Sequence, residues 1–216
     1  MFVIGLVGKT ASGKGMVANI LEEQLKACDL TVSRMRFSDS LREFIQELRK
    51  RGINLATSKE NLISIAEAGR ISFTPDFLAQ SVVRRTRNSN ADVCIWDGMR
   101  WLEDLEALKV FEYRCLVAIK TLDNVRYQRF LKRKENIGDA DISYDNFKRM
   151  DGRDTEKLIP RIIKLADVVI VNNKDHTEDN ISLPVIEKIL YELAYRIYIN
   201  VTYKPEDHWQ FFPKSN

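Results

Sequence analysis

The chain carries the stretch Gly8-Lys9-Thr10-Ala11-Ser12-Gly13-Lys14-Gly15 between the apolar run Phe2–Val7 and the amphipathic segment Met16–Lys26. This stretch matches G-x-x-x-x-G-K, the pattern of phosphate-binding P-loops. A strand that runs into a glycine-rich turn and then a helix directs backbone N–H groups and the positive end of the helix dipole at one point. The alternative is an ordinary strand–turn–helix corner that is rich in glycine. Lys14 favours the P-loop, because its side chain can span the β- and γ-phosphates of a nucleotide. The residues predicted to contact the nucleotide are Gly8, Lys9, Thr10, Ala11, Ser12, Gly13, Lys14, Gly15 and Met16.

One position of the loop departs from the general pattern. Most P-loops place a Ser or Thr after the lysine, and its hydroxyl holds Mg²⁺. This chain has Gly15 at that position, followed by Met16. We therefore expect ATP to bind with Mg²⁺ resting on phosphate oxygens, water and a carboxylate elsewhere, with Ser12 or Thr10 as helpers.

The composition limits the class of protein. The 216 residues are 44% hydrophobic and 30% charged, which is enough for one well-packed domain. A formal net charge of +3 and the lack of a dense basic stripe argue against nucleic acid as a partner. The 3 cysteines form no C-x-x-C pair, which favours reduced thiols and a cytoplasmic location. Only 2 histidines are present, which argues against structural zinc, and no apolar run reaches the length of a membrane span.

Short apolar runs alternate with longer helical patterns along the chain. Runs that are apolar on both faces and separated by helices favour a parallel sheet covered on each side. We therefore predict a three-layer α/β/α P-loop NTPase fold with a central parallel five-stranded sheet. The predicted strands are Phe2–Val7, Thr31–Phe37, Val93–Trp96, Cys115–Lys120 and Val168–Asn172. The predicted helices are Lys14–Lys26, Ser40–Arg51, Lys59–Ala68, Pro75–Asn88, Leu102–Phe111, Asp123–Arg133, Tyr144–Met150, Glu156–Leu165 and Pro184–Tyr195.

The same pattern predicts the domain organisation. We expect residues 1–195 to form a single domain. Residues 52–90 are long, helical and inserted between the second and third strands, which predicts a substrate-binding insertion. Residues 129–154 are polar and rich in positive charge, which predicts a lid. Residues 196–216 form a tail with the aromatic residues Trp209, Phe211 and Phe212, which either docks on its own domain or contacts a second copy in a homodimer.

Two carboxylates follow predicted strands. Parallel sheets bind ligands at the carboxyl ends of their strands, so Asp39 and Asp97 should lie beside the P-loop. Asp97 is predicted to hold Mg²⁺ or to act as a base, with a helix cap near Leu102 as the alternative. Asp39 is an equally good candidate for a catalytic base, for a contact to the acceptor, or for an N-cap of the next helix.

Arginines are candidates for phosphate contacts because guanidinium groups bind phosphate bidentately. Arg100 follows Asp97, and Arg42 and Arg70 lie in or near the insertion, so these three are predicted to bind the substrate. Arg129 and Arg133 are four residues apart, hence on one helix face, and are the predicted catalytic arginines of the lid. Asn172 ends the last predicted strand, where it either approaches the adenine base or forms the turn together with Asn173.

These residues resemble a known group, the P-loop kinases of nucleoside monophosphates and of dephospho-coenzyme A. The segments that carry the resemblance are Gly8-Lys9-Thr10-Ala11-Ser12-Gly13-Lys14-Gly15, Phe37-Ser38-Asp39-Ser40-Leu41-Arg42-Glu43, Trp96-Asp97-Gly98-Met99-Arg100 and Ala166-Asp167-Val168-Val169-Ile170-Val171-Asn172. The segment that begins at Phe37 resembles viral-type deoxynucleoside monophosphate kinases, and the last two segments are more similar to archaeal dephospho-coenzyme-A-kinase-like proteins. The resemblance implies that Asp97 and Arg100 face the acceptor and that the arginine-bearing segment closes over ATP. Those archaeal relatives tend to carry Arg-Asp-x-Arg-Glu in the lid, where this chain has Met150-Asp151-Gly152-Arg153-Asp154.

Together these patterns predict an ATP-dependent phosphotransferase acting on a small phosphorylated acceptor, in first place a nucleoside or deoxynucleoside monophosphate. Dephospho-coenzyme A is the alternative acceptor, and its ribose hydroxyl would need Asp39 or Asp97 as a base. A hypothesis from another class is a nucleotide-binding switch that hydrolyses slowly and signals to a partner through the aromatic tail.

Overall fold

A five-stranded parallel sheet forms the centre of the computed structural model, which describes residues 1–133, 142–173 and 182–203. The strand order is β2-β3-β1-β4-β5, and every neighbouring pair is parallel. The strands are β1 (Phe2–Val7), β2 (Val32–Arg36), β3 (Val93–Met99), β4 (Arg114–Lys120) and β5 (Val168–Val171). The predicted fold class is therefore confirmed, and the P-loop follows the central strand.

Ten helices lie in the described residues. They are α1 (Lys14–Ala27), α2 (Asp39–Lys50), α3 (Lys59–Ser72), α4 (Phe77–Arg87), α5 (Leu102–Lys109), α6 (Asp123–Arg133), α7 (Tyr144–Asp151), α8 (Asp154–Lys157), α9 (Ile159–Ile163) and α10 (Ser182–Tyr203). The single helix predicted over Glu156–Leu165 is two short helices, because Pro160 occupies the first turn of α9, where a missing N–H is tolerated. The last helix reaches Tyr203, so the boundary predicted at residue 195 falls inside it.

The two faces of the sheet are covered by different helices. Ile4 and Leu6 of β1 pack with α1 and α10, whereas Val3 and Val7 pack with α4, α5 and α9. All six residues of β1 are buried. Alternate strand residues point to opposite faces, so a strand covered on both sides must be apolar throughout, as the sequence pattern indicated.

The helices α2, α3 and α4 all lie between β2 and β3. The insertion predicted over residues 52–90 contains α3 and α4, and α2 precedes it. Leu41 and Ile45 of α2 form a small core with Leu62 and Ala66 of α3, and Phe77 and Leu78 of α4 pack against it. The Ser58 hydroxyl begins α3 by accepting a hydrogen bond from the backbone N–H of Asn61 at 3.2 Å. Buried residues of α4 join the main core, so these helices are continuous with the sheet domain.

The predicted lid, residues 129–154, is described only outside residues 134–141. Its helix α7 packs on α6 through Phe147, which is buried and contacts the Phe130 and Tyr127 rings. Ala11 of the P-loop belongs to the same cluster. The described part of this segment therefore lies directly on the phosphate-binding loop. The predicted tail lies outside the described residues from residue 204 onward, including Trp209, Phe211 and Phe212.

None of the described helices combines the length and the apolar character that crossing a membrane would require.

Candidate functional site

The P-loop has the backbone shape of an anion-binding nest. Ala11 and Gly13 have φ angles of 61° and 97°, in the left-handed region. Left-handed residues among right-handed ones turn successive N–H groups toward one concavity, which favours anions. Gly13 precedes α1 and no side chain caps that helix, so its first N–H groups face the loop. Lys14 Nζ donates to the carbonyls of Gly8 at 2.5 Å and Lys9 at 3.0 Å, which places its ammonium group over the same concavity.

Asn172 and Arg129 both reach this loop. The Ser12 carbonyl accepts hydrogen bonds from Asn172 Nδ2 at 3.0 Å and from the Thr121 hydroxyl at 2.9 Å. Arg129 donates to Asn172 Oδ1 at 3.0 Å and to the Ser12 carbonyl at 3.5 Å. The structure thus brings together the P-loop, the end of β5 and the helix α6. Arg133 is the last residue of α6, and its side chain lies outside the described part.

Glu156 is a site residue that the sequence analysis missed. Its carboxylate is 4% exposed and accepts hydrogen bonds from the Thr10 hydroxyl at 2.9 Å and the Thr10 N–H at 3.3 Å. Arg100 forms an ion pair with the same carboxylate. Burial would raise the pKa of Glu156, but Arg100 and then Lys14 outweigh it and hold the pKa below its usual range. Glu156 is therefore ionised and joins Arg100 to the P-loop.

Lys59, at the start of α3, extends this group of charges. Its Nζ lies 3.4 Å from the Thr10 hydroxyl. Burial first, and then repulsion from Arg100, lower the pKa of Lys59, while Glu156 opposes the shift. Lys59 therefore lies between the cationic Arg100 and the anionic Glu156, beside the P-loop.

A second charged group ties α7 to the loop. Arg126 is fully buried and pairs with Asp151 at the end of α7, with Asp123 at 2.7 Å, and with the Thr10 carbonyl at 3.0 Å. Asp151 also pairs with Lys9 at 3.0 Å. Burial alone would raise the pKa of Asp123, but hydrogen bonds from Arg126 and Lys148 lower it to about 2. The i, i+3 spacing of Asp123 and Arg126 was the only signal of this group in the sequence.

Asp97 lies inside β3, which continues to Met99, and not at its end as predicted. Its Oδ2 accepts a hydrogen bond from Arg34 Nη2 at 2.6 Å and lies 3.8 Å from Arg36 Nε. The N-cap of α5 is Trp101, so Asp97 does not cap that helix. The donor set fits Mg²⁺ poorly, because a cationic side chain already engages this carboxylate and residue 15 has no hydroxyl. In the described part of the chain, no three Asp, Glu, His or Cys residues are grouped as a metal site would need.

The predicted substrate residues are spread over the insertion. Asp39 begins α2 and accepts hydrogen bonds from the Arg36 N–H at 2.9 Å and from Arg85 at 3.4 Å, so it pairs with an arginine of α4. Arg70 lies over the ring of Trp101, the neighbour of Arg100 in the chain, at 3.9 Å from the ring centroid. It also pairs with Glu103 at 3.1 Å. Arg42 is exposed on α2. The structure brings Arg70 to the same turn as Arg100, whereas Asp39 and Arg42 stay on α2.

A cleft of about 480 Å³ lies between α3 and the turn after α7. Its walls carry carboxylates from α3 and an arginine from the turn. The lining residues are Glu60, Ile63, Ser64, Glu67, Gly152 and Arg153. Lys59 and Asp151, which both contact P-loop residues, adjoin this lining in the chain, so the cleft opens beside the phosphate-binding loop.

The chain matches no protein family model. It is similar in sequence to the UPF0200 protein of Sulfurisphaera tokodaii, with 25% identity over 171 residues that cover 79% of this chain and 87% of that protein. It is also similar to the UPF0200 protein of Thermococcus onnurineus, with 26% identity over 197 residues that cover 88% of this chain and 99% of that protein.

Solved structures with a similar fold include kinases. A shikimate kinase from Bacteroides thetaiotaomicron matches 90% of this chain and 98% of its own, with a TM-score of 0.57 at 15% identity. The protein TT1252 from Thermus thermophilus covers 90% of this chain and 97% of its own, with a TM-score of 0.53 at 16% identity. At such identities the likeness concerns the fold, and it shows that this chain has the fold of the P-loop kinases.

Proposed function

We propose that this protein transfers the γ-phosphoryl group of ATP to a small acceptor. The observation that carries the proposal is the convergence on one loop of the left-handed turns at Ala11 and Gly13, the Lys14 ammonium group and the Arg129 guanidinium group. Phosphoryl transfer needs positioning and positive charge more than covalent chemistry, so such a site suits it. Mg²⁺ carried by ATP would add charge neutralisation on the phosphate oxygens.

Each residue at the loop then has a role. The loop N–H groups and Lys14 hold the β- and γ-phosphates. Arg129, which contacts the Ser12 carbonyl, and Arg100, which pairs with Glu156, stabilise the transferring group. Asn172 fixes the Ser12 end of the loop and adjoins the base of the nucleotide. Arg133 keeps its predicted role on the lid, which closes to keep water away from the phosphoryl group.

The acceptor we propose is a nucleoside or deoxynucleoside monophosphate. Its phosphate is itself the nucleophile, so no catalytic base is needed. The two carboxylates that could act as a base, Asp39 and Asp97, each have an oxygen engaged by an arginine and not left for a substrate hydroxyl, which favours the monophosphate over dephospho-coenzyme A. Arg153 lines the cleft, and Arg70 and Arg100 lie at the turn after β3, so these three arginines are the cations we propose for the acceptor's phosphate.

An acceptor screen followed by ³¹P NMR tests this proposal. The purified protein is incubated with ATP and Mg²⁺ and, one at a time, with nucleoside monophosphates, deoxynucleoside monophosphates, dephospho-coenzyme A, shikimate and gluconate. We expect ADP to appear together with a new diphosphate signal for at least one monophosphate. ADP formed at one slow rate with every acceptor, and with none, would instead support the nucleotide-binding switch.

A further inference from the structure

The guanidinium group of Arg34 lies close to the residue that carries the metal-binding hydroxyl in other P-loops. A Cβ atom on Gly15 would lie 3.9 Å from Arg34 Nη2. Residue 15 is the position at which a Ser or Thr hydroxyl normally contacts Mg²⁺. A positive charge of the protein therefore stands beside the first turn of α1, at the position usually associated with the metal.

This guanidinium group is held in place from two sides. Nη1 donates to Asn19 Oδ1 at 2.8 Å and Nη2 donates to Asp97 Oδ2 at 2.6 Å. The Arg34 side chain is only 18% exposed, and its Nε is buried without a hydrogen-bond partner. An N–H donor left without a partner is costly, so this guanidinium group keeps one donor that its protein partners do not use.

The sheet register explains why Arg34 meets Asp97. Arg36 pairs with Asp97 and Arg34 pairs with Ile95 across β2 and β3, so Arg34 is the diagonal neighbour of Asp97. Long side chains reach such diagonal neighbours on one face of a sheet. Arg34 rather than the directly paired Arg36 makes the short contact, because Arg34 turns toward α1 and Arg36 stays 55% exposed.

We propose that Arg34 is a phosphate-binding residue that supplies, next to Gly15, the positive charge which a hydroxyl-bound metal supplies in other P-loops. Asp97 is the positioning residue that aims it. This inference rests on the proposed function, since it requires that the loop binds a nucleotide. It also gives Asp97 a different role from the predicted metal ligand, because the oxygen that would face the metal accepts the Arg34 hydrogen bond.

A plain structural ion pair is the competing explanation. Taking two charges out of water costs several kcal/mol, and buried pairs are commonly no more stabilising than apolar side chains of similar volume. A pair with a structural role alone would leave nucleotide affinity unchanged when the arginine is replaced.

Isothermal titration calorimetry with ATP, in excess EDTA and in excess Mg²⁺, tests the proposal. We expect Arg34→Gln to weaken ATP binding in EDTA roughly tenfold, which corresponds to about 1.4 kcal/mol. Arg34→Lys, which keeps the charge, should recover most of this loss. Arg36→Gln is the matched control, because it removes the other arginine near Asp97, and it should stay within about twofold of the wild type.

A double variant tests whether the usual metal geometry can be restored. Gly15→Ser combined with Arg34→Gln should bind ATP weakly in EDTA and regain roughly tenfold in affinity with Mg²⁺. Equal affinities of the wild type, Arg34→Gln and Arg34→Lys in EDTA would overturn the proposal, as would an Asp97→Asn variant that loses only the Mg²⁺-dependent part of binding. A wild-type protein that binds ATP under neither condition would overturn the proposed function itself, so the two failures are distinguishable.

Discussion

The Glu156 carboxylate and the Thr10 hydroxyl, 146 residues apart in the chain, form a hydrogen bond of 2.9 Å that fastens α8 to the P-loop. Arg100 pairs with the same carboxylate from the other side. The P-loop and the turn after β3 are therefore joined through one buried anion. A P-loop fixed in this way loses little conformational entropy when phosphate binds.

Glu156→Gln should lower the free energy of unfolding by about 2 kcal/mol, because it removes the buried negative charge that pairs with Arg100. Urea unfolding measures this change. Glu106→Gln is the matched control: Glu106 is 68% exposed and pairs with Lys109 on the surface, so a change of less than about 0.5 kcal/mol is expected. Equal effects of the two substitutions would mean that Glu156 does not tie the loop.

Gly13→Ala should damage the P-loop in two ways. The φ angle of 97° strains any side chain by roughly 1–2 kcal/mol. A Cβ atom would also lie 2.3 Å from Asn172 Nδ2, which forces one of them to move. Gly98→Ala is the matched control, because its φ is 95° and a Cβ there meets nothing within 4 Å.

The thermal unfolding of both variants separates strain from overlap. We expect Gly13→Ala to be more destabilising than Gly98→Ala by about 1 kcal/mol or more, as overpacking is costly. In an Asn172→Ala background the extra penalty should disappear. If it persists there, the Asn172 side chain is not what crowds position 13.

The stability of the protein should carry a pH signature from Asp104. This residue lies in the first turn of α5 and accepts hydrogen bonds from the N–H groups of Arg100 and Trp101 at 2.8 and 3.0 Å. Burial raises the pKa of Asp104 from 3.8 to about 6. Between these two values the native state holds a proton that the unfolded state has released, so the contribution of Asp104 to stability falls as pH rises.

Asp104→Asn removes this titration. The free energy of unfolding of the variant minus that of the wild type should increase from pH 4 to pH 6, by at most about 3 kcal/mol. Urea unfolding of both proteins at pH 4, 5, 6 and 7 measures the difference. A difference that is constant over this range would show that the pKa of Asp104 is not raised.

The sequence was sufficient for the fold because the fold depends on local signals. The G-x-x-x-x-G-K stretch and strands that are apolar on both faces predict a P-loop on a parallel sheet, and β1 shows why: each of its residues is buried. Asn172 was predicted beside the adenine base and Arg129 on the lid, and both contact the P-loop in the structure, as elements that follow parallel strands meet at one edge.

The charge pairs were not predictable in the same way. Arg34 contacts Asp97 only because β2 lies next to β3 with one particular register. Neither the strand order nor the register can be predicted from the local sequence. Glu156 sits in a stretch that resembles any charged helix end, and only its burial against Thr10 reveals a role. The same holds for the group formed by Asp151 with Lys9 and Arg126. Tertiary packing determines which of the many charged side chains are buried, and the local sequence does not show it.

If the loop around Lys14 binds the phosphates of a nucleoside triphosphate, calorimetric titration with ATP will distinguish the wild type from Lys14→Ala. We expect one ATP bound per chain and an affinity at least roughly a hundredfold weaker in the variant, or about 2.7 kcal/mol. A wild-type protein that gives no binding heat with ATP or GTP, with or without Mg²⁺, or one that Lys14→Ala matches, would contradict this expectation.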